Sequence, residues 1–179
     1  MDRKAFLITV LSNNDVTSSV KTNLDTLLSI IPELRGLVGF EHRHPHHHLD
    51  VWEHTLLALS YSDNEIKTRV ALLLHDVGKP HSYSEEDDGT RHFHGHPRKS
   101  RDIAFTVLNR LGFDESFTRD VCDIIEKHDT PIREEEMLLN RAFTEELFKV
   151  QRCDALAHNP TYNKKRLEYI EKISKLLEK

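Results

Sequence analysis

A chain of 179 residues, 37% hydrophobic and 31% charged, suits one soluble domain with a sizeable core. Its formal charge of -5 argues against a general duplex-binding surface, which needs a basic stripe to displace counterions; the basic residues gather locally instead, as between Pro97 and Arg101. No apolar run approaches the length of a bilayer span, and the short run Ala5 to Leu11 is followed by no cleavage-site pattern, so the expectation is a cytoplasmic protein with no membrane partner.

Helical periodicity dominates the chain. The first such segment runs from about Asp15 to Ile31, with apolar groups at Val20, Leu24, Leu27, Leu28 and Ile31, and Pro32 closes it. A histidine-rich loop, His42 to His48, follows; mere surface placement explains most of it, and none of its histidines is expected to ligate a metal directly. Asp50 is placed as the N-cap of a helix through Val51, His54, Leu57 and Tyr61, and Asp63 as the cap of the next, through Ile66, Val70 and Leu73 to His75. Pro80 to Gly95 is polar and reads as a loop. Helices are then expected at Pro97–Leu111, stopped by Gly112, and at Asp114–Lys127, Arg133–Leu139 and Thr144–Ala157. Pro160 breaks the chain before a last amphipathic helix through Leu167, Ile170, Ile173 and Leu177. No alternating strand pattern, internal repeat or low-complexity linker is visible. The fold expected is all-α, one domain over residues 1–179, with its core at about 47–158.

Histidine is the compositional outlier, with 13 copies. The two cysteines, Cys122 and Cys153, have no metal-knuckle spacing and read as buried free thiols of a reducing compartment. More telling is His75-Asp76, at the end of an apolar helix that has no structural reason to finish that way. The pair supplies a neutral imidazole and a carboxylate, which suits a hard or borderline divalent cation. Gly78 lets the backbone turn after the helix, and Lys79 stands close by as a cation for a phosphate. Chance alone produces roughly one His-Asp pair at this composition, and a second, His128-Asp129, is present.

The neighbours decide the matter. His54 shares a face with Leu57, Ala58 and Tyr61; His75 follows Ala71 and Leu72; His96 precedes Ile103 and Val107; His128 continues Val121, Ile124 and Ile125; Asp154 continues Leu147 and Val150. Steps of three and four residues place each polar head where a core side chain belongs. One such histidine is ordinarily a core imidazole bonded to a backbone carbonyl, but a buried carboxylate without a partner is costly. A shared metal site satisfies all five segments at once. In that reading Asp129 is only the neighbour of His128, and His81 and His158 are surface residues.

The ordered series Asp50-Val51-Trp52-Glu53-His54, His75-Asp76-Val77-Gly78-Lys79, Phe93-His94-Gly95-His96, Ile125-Glu126-Lys127-His128 and Arg152-Cys153-Asp154 resembles the HD-domain phosphohydrolase superfamily. In texture it is most similar to the HD portion of bacterial CCA-adding tRNA nucleotidyltransferases, standing without their nucleotidyltransferase head. The resemblance implies an HD-type helical bundle in which His54, His75, Asp76 and Asp154 hold one metal. It also implies that His96 and His128 serve a second, with Asp76 bridging. One or two divalent ions, Fe, Mn, Ni, Co or Mg, would then be the cofactor.

A metal pair bridged by Asp76 would acidify a water near neutral pH for in-line attack on phosphorus. Lys79 and Arg98 are the candidates to steady the phosphate charge. The resulting expectation is an enzyme acting on a phosphate ester of a small nucleotide or RNA end, as a 2',3'-cyclic phosphodiesterase, 2'-nucleotidase or phosphatase. Alternatives are a dinucleoside polyphosphate hydrolase and a nucleotide-sensing domain without chemistry. The oligomeric state is open: the terminal helix packs either on its own domain or on a second subunit.

Overall fold

The computed structural model describes residues 2–178. Helix α1 (Arg3–Leu11) forms from the short apolar run at the N-terminus, capped by Asp2, whose carboxylate accepts from the Ala5 amide at 3.0 Å. The long helix expected from residue 15 is two, α2 (Val16–Thr22) and α3 (Leu24–Ile30). They part at Asn23, whose side-chain amide donates to the Ser19 carbonyl at 2.8 Å, a local bond that competes with continued helix. A 3-10 turn, Pro32–Leu37, follows.

Helix α4 (Val51–Ser60) begins as expected, with the Asp50 carboxylate accepting from the Glu53 amide at 2.7 Å. Helix α5 (Ile66–Leu74) starts after Glu65, without a side-chain cap; Asp63 instead accepts from the Glu65 amide in the preceding turn. The polar stretch after Pro80 contains a ribbon too small to leave a sequence pattern: β1 (Ser84–Glu85) pairs antiparallel with β2 (Arg91–His92). Helices α6 (His96–Leu111), α7 (Glu115–Lys127), α8 (Glu134–Leu139), α9 (Arg141–Ala157) and α10 (Lys164–Leu177) complete the chain. Gly112, at φ 81°, stops α6 in the left-handed conformation that glycine adopts freely.

The architecture is a helical bundle. Helix α5 runs through its middle, touching α1, α4, α7 and α9, while α6 lies along α7 and α10 along α9. Every side chain from Thr68 to Leu74 is buried, so this part of α5 is enclosed on all sides rather than along one stripe. Even its Arg69 is satisfied internally, by the carbonyls of Leu11 and Asn13 and the side chains of Ser62 and Asn64. Cys122 and Cys153 are unbridged and buried, and burial pushes their thiols up to about 11 and about 12, which makes them inert packing groups. No helix among the described residues is long and apolar enough to cross a membrane.

Candidate metal centre

The C-terminal end of α5 delivers His75 and Asp76 into the middle of the bundle, where each is almost wholly buried. Gly78 follows at φ -82°, an ordinary right-handed conformation, so backbone freedom is not why glycine stands there. The reason is proximity: a Cβ would meet the Ser100 amide at 2.5 Å and the His96 carbonyl at 2.7 Å. The turn after Asp76 is pressed onto the first turn of α6, and the Gly78 amide donates to Ser100 Oγ at 2.9 Å. This contact brings His96 to the His-Asp pair.

Four imidazoles, that of His75 among them, converge around Asp76, each with Nδ1 against a backbone carbonyl. His75 uses Leu72 at 2.7 Å, His96 uses Phe93 at 2.9 Å, His128 uses Ile125 at 2.7 Å and His54 uses Ala157 at 3.3 Å. A carbonyl only accepts, so Nδ1 carries the proton in each ring and Nε2 is directed inward. The Nε2 atoms of His96 and His128 lie 3.3 Å apart, a spacing at which at most one can carry a proton and two bare lone pairs repel. His75 Nε2 lies 3.2 Å from Asp76 Oδ2, His96 Nε2 3.2 Å from Asp76 Oδ1, and His54 Nε2 2.9 Å from Asp154 Oδ1.

Among the described residues, His75 Nε2 and both oxygens of Asp76 are buried without a directed hydrogen-bond partner. The Lys79 ammonium, 2.7 Å from Oδ2, gives that oxygen a counter-charge, whereas Oδ1 faces the imidazoles of His96 and His128. A buried oxygen without a donor is costly, and the chemistry here fits a cation: imidazole and carboxylate donors carried by separate helices. Three sets have ligand atoms within 4.8 Å of one another: His54, His75 and Asp154; His75, Asp76 and His128; His96, His128 and Asp129. The donors suit a divalent ion and leave its identity open.

The charges agree with this. Burial opposes ionisation of Asp76, yet the positive charges of His75 and Lys79 outweigh it and hold the carboxyl well below the usual range. Asp154 is likewise held down, against burial, chiefly by the Arg166 guanidinium. Without metal, burial disfavours a charged His75, but Asp76 and Asp154 overcome it and raise the imidazole to about 10. A proton therefore stands in for the cation, and metal uptake must displace it.

Lys79 is buried too. Its Nζ sits 2.7 Å from Asp76 Oδ2 and donates to His42 Nε2 at 3.0 Å, while His42 Nδ1 donates to the Leu49 carbonyl at 2.9 Å. The histidine-rich loop is thus not wholly a surface feature. His42 is buried, with its ring stacked on His47 at 3.7 Å between centroids. His158 is buried as well, against the expectation of a surface position; its Nδ1 donates to the Asp154 carbonyl at 2.8 Å. Arg98 lies exposed, outside the cavity wall. Besides Lys79, a second cation reaches the centre: Arg166 of α10, which donates to Asp154 Oδ2 at 2.9 Å and to Asp129 Oδ1 at 2.8 Å. In sequence it was masked by the basic run Lys164-Lys165-Arg166, where no single charge stands out.

Above the centre opens a cavity of about 560 Å³, walled by His44, His46, Phe93 and Tyr162 and by the cations Lys79, Arg91, Lys165 and Arg166. His94 lies at this wall, while His96 points to the floor. A second cavity of about 330 Å³ shares His128, Asp129, Lys165 and Arg166 with the first and continues toward Tyr169 and Ile170.

The buried imidazoles set opposing pH windows in the metal-free protein. Burial and the neighbouring Lys79 lower His42 to about 2, and burial with Arg166 nearby lowers His158 to about 4, against 6.5 in the unfolded chain. The unfolded state then binds more protons below pH 6.5, so stability falls on acidification, by about 2 kcal/mol for each group at pH 5. His75 acts oppositely: its contribution is complete below 6.5 and disappears as pH rises toward about 10. In chelator the melting temperature should peak near pH 6.5 to 7 and fall on both sides. Saturating divalent metal should abolish the alkaline limb, because ligated His75 no longer holds a proton. A flat metal-free profile, measured by calorimetry from pH 5 to 9, would remove His75 as a proton-holding group.

Comparison with known proteins follows the same residues. Positions 46–159 match the HD domain family profile. An A-adding tRNA nucleotidyltransferase of Deinococcus radiodurans is 36% identical over 113 residues, 59% of this chain and 25% of that protein. A CC-adding tRNA nucleotidyltransferase of Thermus thermophilus is 34% identical over 119 residues, 63% of this chain and 27% of that protein. The chain spans about a quarter of the length of these curated relatives. Since the profile takes in every histidine and aspartate that meets at Asp76, and more than half of the sequence, the chain belongs to the HD domain family.

Proposed function

We propose that the centre holds one or two divalent ions and hydrolyses a phosphate ester of a nucleotide or RNA terminus. One observation carries the reading: four imidazoles direct Nε2 toward a buried carboxylate whose Oδ1 has no directed donor and whose Oδ2 pairs with the Lys79 ammonium. His54, His75, Asp76 and Asp154 would hold one ion, with Asp76, His96 and His128 serving the other. Bound there, such ions supply Lewis acidity, lowering the pKa of water so that a nucleophile is available near neutral pH and neutralising phosphoryl oxygens.

The chain's own residues do the rest. Lys79, fixed between Asp76 and His42 at the cavity wall, meets charge developing on the phosphate. Arg91 and Lys165 make the cavity attractive to anions, and its volume lies within the range of small-molecule sites. The rings of Phe93, His44, His46 and Tyr162 offer flat surfaces for a base. The relatives are named for work on tRNA, which favours an RNA terminus as substrate, and 2',3'-cyclic phosphodiesters and 2'-phosphates are the esters to try there. The adjoining second cavity favours one further reading, a dinucleoside polyphosphate with an arm in each space.

Incubation of the Mn-, Co-, Ni-, Fe- or Mg-loaded protein with 2',3'-cyclic AMP, 2'-AMP, diadenosine tetraphosphate and deoxynucleotides tests both readings. Turnover of the first two supports RNA-end chemistry, and turnover of the third the two-armed substrate. Failure on every member with every metal would overturn the hydrolase reading.

A further inference from the structure

Asp129 and Asp154 both border the centre, and each divides its two oxygens in the same manner. Asp154 directs Oδ1 inward, 2.9 Å from His54 Nε2 and 3.7 Å from His75 Nε2, while Oδ2 accepts from Arg166 at 2.9 Å. Asp129 directs Oδ2 toward His96 Nε2 at 3.4 Å and His128 Nε2 at 3.8 Å, while Oδ1 accepts from the same Arg166 nitrogen at 2.8 Å. The other terminal nitrogen of Arg166 donates to His158 Nε2 at 2.8 Å. That ring can accept there because its Nδ1 proton is committed to the Asp154 carbonyl. The guanidinium is thus held on three partners in a fixed plane, a geometry an ammonium cannot reproduce.

We propose that Asp129 is a ligand of the second half of the centre, and that Arg166 positions Asp129 and Asp154 together, so that helix α10 completes the metal site. The assignment rests on the metal-centre reading above. It does not rest on the acidic residue alone. The facing lone pairs of His96 and His128 at 3.3 Å, and the buried Asp76 Oδ1 lying 3.2 and 3.9 Å from their Nε2 atoms without a directed donor, mark the same point for a cation. Asp129 Oδ2 supplies the remaining anionic oxygen on the open side, and Asp129 is the carboxylate shared by both cavities. Arg166 lies beyond the matched span 46–159, so a domain cut at that boundary would lose the residue that aims two carboxylates.

The test is metal binding rather than turnover. Free Mn²⁺ is titrated into the metal-stripped full chain and followed by electron paramagnetic resonance, with elemental analysis for stoichiometry. Asp129→Asn, a change on a half-exposed side chain that should leave folding intact, is expected to retain one ion and weaken the second by at least 10-fold. Arg166→Met is expected to weaken both, by roughly 10- to 100-fold, the effect typical of removing a group that orients ligands. Arg166→Lys should restore only part of the loss, since one ammonium cannot serve two carboxylates and His158 together. Two ions at unchanged affinity in Asp129→Asn would overturn the ligand assignment. Unchanged affinities in Arg166→Met, with a raised KM, would assign Arg166 to substrate instead. Asp76→Asn separates the levels: if it too keeps both ions, the metal-centre reading fails, whereas if it alone loses them only the present inference fails.

Discussion

Asp76→Asn is expected to remove bound metal altogether and to lower the proposed phosphate-ester hydrolysis on the order of 10³-fold or more. The magnitude follows from the several kcal/mol of charge stabilisation that a metal contributes, at about 1.4 kcal/mol per factor of ten. Among the described residues no other carboxylate touches both halves of the site: Oδ2 faces His75 and His54, and Oδ1 faces His96 and His128. The same change strips a buried ammonium of its counter-charge, because Lys79 Nζ lies 2.7 Å from Asp76 Oδ2. Breaking a buried pair from one side costs about 3–5 kcal/mol, so the single variant should also melt early. Asp76→Asn combined with Lys79→Met removes both members and should recover much of that stability while leaving the metal site dead. Elemental analysis and calorimetry on the single and double variants separate the two effects. A double variant that binds metal would contradict the role given to Asp76.

Gly78→Ala should be the most damaging one-carbon change in the chain. The added methyl meets the Ser100 amide at 2.5 Å and the His96 carbonyl at 2.7 Å, and neither is a flexible side chain that could rotate away. Overpacking of this kind costs up to about 3 kcal/mol or more, a fall in melting temperature of roughly 6–12 °C at this size. The only relief is for α6 to retreat from the His-Asp turn, carrying His96 away from Asp76. A displacement of about 1 Å at a reacting centre is enough for a 100-fold loss of rate. Gly36→Ala is the control, since its added carbon would find Pro80 at an ordinary 3.6 Å and should change stability by less than about 1 kcal/mol. Equal melting temperatures for the two variants would show that the α6 contact yields easily.

The inward histidines and aspartates were legible because helical period converts spacing into direction. His54, His75, His96, His128 and Asp154 each lie in step with a run of apolar residues, and the structure brings all five to Asp76. Helix α10 was equally visible from Leu167, Ile170, Ile173 and Leu177, but Arg166 was not, because an amphipathic pattern reports which face is apolar and not which polar residue reaches furthest. His42 and His47 escaped for a different cause. A loop has no period, so the burial of His42 and its bond to Lys79 depend on a chain path that local sequence does not encode. Gly78 was noticed and misread: a glycine after a helix suggests a turn, whereas its reason is a neighbour 22 residues away. Asp129 was set aside as the companion of His128, since adjacency in sequence gave no hint that Arg166 would hold one of its oxygens.

The carbonyl anchors of the imidazoles bear on how the centre assembles. His75, His96 and His128 each bond a carbonyl three residues back in their own segment, so the anchors that aim these rings need no second helix. His54 is the exception, since its anchor is the Ala157 carbonyl, 103 positions away. Three donors are therefore prefabricated and one is conditional. The ring of His54 finds its anchor only where α9 lies against α4, which ties the grip on an ion to the docking of whole helices rather than to the settling of single side chains.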